Sequence, residues 1–170
     1  RLEAAGADGL GSRGVYYGAS ASEAAQCADQ VVHVVGAANS AGQAVLNFAK
    51  VASRVVLLVR GARLEDSMSE YLVERIKASD NVEVRYRTEV VAAHGTDHLE
   101  SVTLADRDSG AESDEATNWL FVFIGALPRT DWLGDAVVRD AKGFVVTGPD
   151  LQLPEHAGRW PLSRTPYALE

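Results

Sequence analysis

At 170 residues the chain has the length of one domain, enough to bury an ordinary core without disulfides or metal. Its 16 Lys and Arg residues against 24 Asp and Glu leave a net charge of -8, which argues against sequence-independent affinity for nucleic acid or acidic membranes. The single cysteine, Cys27, excludes an internal disulfide, a CxxC redox pair and a cysteine-rich zinc site, and makes a reducing cytoplasm the expected setting.

No apolar run reaches the roughly 18 residues that a membrane span needs. The start Arg1-Leu2-Glu3 has neither an initiator methionine nor the layout of a signal peptide, so the chain is expected to be a fragment cut at both ends. Residues 1–30 are rich in Gly, Ala and Ser, with Gly6, Gly9, Gly11, Gly14 and Gly18 breaking any period, and read as a linker leading into a folded unit. Residues 31–147 are expected to form that unit.

Val31 to Val35 is a short apolar run, as a strand buried on both faces requires, and a glycine turn follows at once. Ser40 to Lys50 carries Ala41, Ala44, Val45, Phe48 and Ala49 at helical spacing. Arg54 to Val59 is a second buried strand, completing a βαβ unit. Ser67-Met68-Ser69-Glu70 reads as a capping box opening a helix with Met68, Tyr71, Leu72 and Ile76 on one face, and Val82-Glu83-Val84 as a third strand.

Period-two patterning near 86–93, 99–105 and 111–117, broken by Gly95-Thr96-Asp97 and Asp108-Ser109-Gly110, predicts a small antiparallel meander. Trp119 to Ile124 predicts a central parallel strand rejoining the main sheet, and Gly143 to Thr147 a last short strand. Residues 148–170, with Pro154, Pro161 and Pro166, read as a linker leaving the unit. The fold class is therefore α/β, with a parallel sheet, a helix layer and a meander forming a three-layer Rossmann-like domain.

A dinucleotide pyrophosphate is held by free backbone N–H groups at a helix start, where the helix dipole also favours negative charge. The fingerprint G-x-G-x-x-G/A encodes that geometry, and here its positions are Gly36, Ala38 and Ala41, between a predicted strand and a predicted helix. Ala38 replaces the second glycine and adds a methyl group where the phosphates approach. Asn39 and Ser40 either cap the helix or bond phosphate and ribose groups of the cofactor.

An acidic residue after the second strand selects the ribose 2′-hydroxyl of NAD, whereas a basic one accommodates the 2′-phosphate of NADP. Here Arg60 follows that strand and Arg63 lies just beyond it, which favours NADP; the alternative is that both are solvated loop charges. A turn without ligand is the alternative for the whole motif.

Gly14-Val15-Tyr16-Tyr17, Val35-Gly36-Ala37-Ala38-Asn39-Ser40-Ala41-Gly42, Val59-Arg60 and the run from Phe121 to Thr130 together resemble the NADPH-binding domain of the thioredoxin reductase family. These are flavoproteins of the pyridine nucleotide-disulfide oxidoreductase class. The resemblance implies a domain inserted into an FAD-binding domain of the same chain through two crossover strands, matching 1–30 and 148–170, and rotation about them. It also implies a homodimeric parent, and it assigns Ile124 and Gly125 to the border of the nicotinamide half of NADPH.

The family's FAD fingerprint and closing Gly-Asp segment are not found in this sequence, so FAD is expected in the parent protein and not on this fragment. The family's redox CxxC would fall at Gly18 and Ala21, and lone Cys27 cannot replace it because dithiol exchange needs two thiols. The resemblance thus implies hydride delivery from NADPH to FAD, with an unknown final electron acceptor. The alternative is a non-catalytic NADP-binding regulatory or structural module. No catalytic side chain is expected, and His33, His94, His98 and His156 have no metal-ligand spacing.

Overall fold

The computed structural model describes residues 1–19 and 21–170, the backbone alone at Ala21 and Ser22. Among the described residues, eight strands and three α-helices follow one another as β1 (Val15–Tyr17), α1 (Ala21–Gln26), β2 (Val31–Val35), α2 (Asn39–Phe48), β3 (Arg54–Val59), α3 (Glu70–Lys77), β4 (Val82–Tyr86), β5 (Thr88–His94), β6 (Ser101–Asp106), β7 (Glu112–Ala116) and β8 (Trp119–Val122). None of the helices among them is long and apolar enough to cross a membrane.

The five-stranded sheet runs β1-β8-β2-β3-β4 with every neighbour parallel, and β5-β6-β7 form a separate antiparallel sheet. Because side chains alternate along a strand, each central strand feeds two interfaces. Val32, Val34, Val55, Leu57, Val59 and Phe121 join Val45 and Phe48 of α2 and Leu72, Val73 and Ile76 of α3 in one core. Val35, Val56, Leu58, Leu120 and Val122 join Val90, Val102 and Leu104 of the small sheet in the other. This is the expected three-layer α/β arrangement.

On the helix side an aromatic row crosses the sheet. Phe48 and Phe121 have ring centroids 4.4 Å apart, and Phe121 stacks with Tyr16 at 5.2 Å. Such pairs add about 0.5–1.5 kcal/mol beyond the area that they bury. Cys27 belongs to the same core, its thiol donating to the Glu23 carbonyl at 3.2 Å, and burial pushes that thiol up to about 11.

The meander side differs, because His33 on β2 is fully buried there. Its Nε2 lies 3.0 Å from Glu115 of β7, which also pairs with Arg85 of β4. Glu83 then links Arg85 to Arg54. Burial, with the Arg85 and Arg54 charges, holds His33 below its ordinary pKa although Glu115 pulls the other way. Hydrogen bonds from Arg54 and Arg85 hold Glu83 down, and those from His33 and Arg85 hold Glu115 down against its burial.

Residues 1–30 are more than a linker. A 3-10 turn at Ala7–Leu10 buries both of its ends, Ala5 bridges Ala92 of the meander, and β1 is an edge strand of the parallel sheet. Gly14 takes a φ of 111° so that the chain can press on Leu99, whose Cβ would stand 2.3 Å from any Cβ at this position. The first compact unit is Arg1–Ile124 and the second Gly125–Glu170.

In the second unit the strand expected at Gly143–Thr147 is reduced to one bridge, Arg139 with Val145. Asp140 explains this: its carboxylate accepts the N–H groups of Lys142 and Phe144 at 2.8 and 2.9 Å, folding the segment on itself as a tight turn. Further along, Arg164 makes two 2.6 Å hydrogen bonds to Glu170 and lies over the Tyr167 ring, giving the expected outgoing linker local order.

Candidate functional site

The carboxyl ends of β8, β2 and β3 lie side by side. From β2 the chain passes through α2 to β3 on one side, while β8 fills the other side, and this reversal is where open α/β sheets bind ligands. Gly36 begins the turn there, its N–H donating to Leu58 O at 3.1 Å, while Phe123 N–H donates to Val35 O at 2.8 Å.

The demand for glycine at 36 is steric. Its φ is 151°, and a Cβ would stand 2.7 Å from Phe123 O and 2.9 Å from the Ala41 Cβ. Ala41 is buried, so the third fingerprint position packs helix on strand as the motif requires. Ala38 has φ -94° and ψ 176°, an extended conformation open to any residue, so the missing second glycine imposes no backbone strain.

After Gly36, the next N–H along the turn with a protein acceptor among the described residues is that of Gly42, which donates to Ala38 O at 3.1 Å. The N–H groups of Asn39, Ser40 and Ala41 have none among the described residues, and α2 has no side-chain cap and no acid in its first turn. Open donors at the positive end of a ten-residue helix fit the pyrophosphate of a dinucleotide.

Asn39 neither caps its own helix nor stands free: its Oδ1 accepts the N–H of Ser69 at 2.8 Å. Ser40 is exposed, Ala37 is half-buried, and the Ala37 carbonyl accepts a hydrogen bond from Ser67 Oγ at 2.8 Å. The sequence pattern places Ser67 in a capping box, but the helix starts later, with Ser69 as its N-cap and no side-chain cap bond. The contact joins residues thirty apart and left no local signal.

The two arginines after β3 differ. Arg60 is exposed and has no ion-pair partner among the described residues. Arg63 lies 3.7 Å from Glu65 and 3.9 Å from Asp66, while Lys77 bonds Glu65 at 2.8 Å and holds that carboxyl down at about 2. Arg60 is thus the cation of this loop ready for an anionic ligand, whereas Arg63 must first leave its carboxylates. Exposed Ile124 closes the first unit beyond β8, and Gly125 opens the second.

Residues 5–156 match the family described as pyridine nucleotide-disulphide oxidoreductase. Over 115 residues the chain is 30% identical to a subunit of the alkyl hydroperoxide reductase of Staphylococcus aureus, covering 68% of this chain and 22% of that protein. Over 117 residues it is 33% identical to thioredoxin reductase of Eremothecium gossypii, covering 68% of this chain and 36% of that one. The crystal structure of thioredoxin reductase from Streptococcus pyogenes matches with a TM-score of 0.75 and 27% identity over 86% of this chain and 47% of the other. The chain therefore spans less than half the length of these relatives. With its fold, its turn and its match over most of its length in agreement, the chain belongs to the FAD-dependent pyridine nucleotide-disulfide oxidoreductase family and is thioredoxin reductase-like.

Proposed function

We propose that the chain is the NADPH-binding part of a thioredoxin reductase-like flavoprotein and delivers hydride from NADPH to an FAD held elsewhere in the same protein, without a redox dithiol of its own. The observation that carries this reading is the turn Gly36–Ala41, where the open N–H groups of Asn39, Ser40 and Ala41 stand at the start of α2 beside the end of β3. They would hold the pyrophosphate, Arg60 the 2′-phosphate, and Ile124 and Gly125 would border the nicotinamide. The nicotinamide supplies the hydride when bound; the protein binds and orients it. Gly18 and Ala21, where the family carries its two cysteines, argue for an acceptor other than an internal disulfide. A cytoplasmic setting and a homodimeric parent complete the reading.

Calorimetric titration with NADPH and NADH tests it. NADPH is expected to bind more tightly, and Arg60→Ala to weaken NADPH by about tenfold or more while leaving NADH nearly unchanged. Tighter binding of NADH, or equal losses for both, would overturn the assignment of Arg60.

The absence of cysteine at Gly18 and Ala21 also favours a second reading, a non-catalytic module that uses NADP as a regulatory or structural ligand. NADPH oxidation by the full-length flavoprotein with ferricyanide separates the two. Turnover supports the enzyme; bound FAD and NADPH without turnover supports the module.

A further inference from the structure

The loop that carries Arg60 and Arg63 is fastened to the turn at the start of α2. Ser67 Oγ donates to Ala37 O, and Ser69 N–H donates to Asn39 Oδ1, both at 2.8 Å. Between these two bonds, buried Met68 lies against Gly42 of α2, where a Cβ would stand 2.8 Å from the Met68 Sδ. Leu64, fully buried, anchors the other end of the segment directly after Arg63.

Helix formation requires neither bond. Asn39 is the first residue of α2, just after its N-cap Ala38, and its carboxamide serves the neighbouring loop, while Ser67 stands two residues before Ser69, the N-cap of α3, and its hydroxyl turns to Ala37. Both side chains are exposed, so water would satisfy them equally well if the loop moved away. What the bonds determine is the separation between the helix start and the arginine loop.

We infer that Asn39 and Ser67 are positioning residues that hold the arginine loop in register with the turn, so that one ligand with a phosphate at each place is gripped at both ends. This rests on the nucleotide site proposed above. A ligand that spans two preformed places escapes the cost of ordering the loop on binding, whereas one that touches a single place gains nothing from the clasp. The clasp therefore selects for ligands bearing both phosphates, apart from any direct contact that Ser67 makes.

Calorimetric titration of the full chain with adenosine 2′,5′-bisphosphate and with 5′-AMP tests the inference. The first carries phosphates for both places, and the second reaches only the helix start. In Ser67→Ala the bisphosphate is expected to bind about tenfold more weakly while 5′-AMP is unchanged, and Ser67→Thr, which keeps the hydroxyl, restores the affinity. Asn39→Asp, which keeps the acceptor, is expected to retain the preference for the bisphosphate. Equal losses for both ligands in Ser67→Ala, or no loss for either, would overturn the clasp while leaving the NADPH reading intact. An unaltered chain that binds neither the bisphosphate nor NADPH would overturn both.

Discussion

The two faces of the central sheet are cut from the same strands and both bury an apolar core, but only the meander face adds a network of charges to it. Val32, Val34, Leu57 and Phe121 meet helices across an apolar, aromatic contact, while His33 points into a chain of carboxylates and guanidinium groups under the meander. An apolar face is indifferent to acid. A face holding a buried imidazole and depressed carboxylates is not, so one sheet carries a pH-insensitive half and a pH-sensitive half.

The largest test of that contrast lies on the helix side. Phe121→Ala removes a fully buried ring from the aromatic row and is expected to cost about 3–5 kcal/mol in denaturant unfolding, by a similar amount at pH 7 and pH 5. Glu115→Ala, on the other side, strands His33 and Arg85 and should cost about 1–3 kcal/mol at neutral pH. A loss from Glu115→Ala as large as that from Phe121→Ala would erase the proposed ranking of the faces.

The pH dependence sharpens the contrast further. Since folding lowers the pKa of His33, the unfolded chain takes up its proton first, and stability falls as pH drops through about 6.5, the ordinary histidine value. Glu83 and Glu115, also lowered, stabilise the fold above the ordinary carboxylate value of about 4.3 and lose that contribution below it. His33→Leu is expected to flatten the stability profile between pH 7 and pH 5. A slope that survives this substitution would show that His33 does not carry it.

The smallest expected effect concerns Cys27. Buried and pushed up to about 11, its thiol should resist iodoacetamide at pH 7.5 in the folded chain and react once urea unfolds it. Rapid labelling of the native chain would mean that the helix-side core opens far more readily than its packing indicates.

Much of the fold was legible because burial on both faces leaves continuous apolar runs such as Val31–Val35 and Arg54–Val59, and a half-exposed meander leaves alternation. The three-residue β1 and six-residue α1 are too short to establish a period amid glycine and alanine. Gly143–Thr147 had the composition of a strand, but among the described residues it makes only the single Arg139–Val145 bridge, and Asp140 bends it instead. At the candidate site, Gly36 and Arg60 stood out because each answers a local geometric need. The roles of Ser67 and Asn39 did not, since they depend on a tertiary contact between loops that the chain brings together only on folding.

Strand β8 comes last in the chain among the described strands and sits in the middle, His33 on one side and Tyr16 on the other finding their partners only when Leu120 and Phe121 emerge. Until then β1 and β2 face each other across a vacant lane with their pairing groups exposed. The lane waits through the synthesis of β3, β4, two helices and the meander, which makes this contact slow to form and the unfinished chain prone to pair with its neighbours.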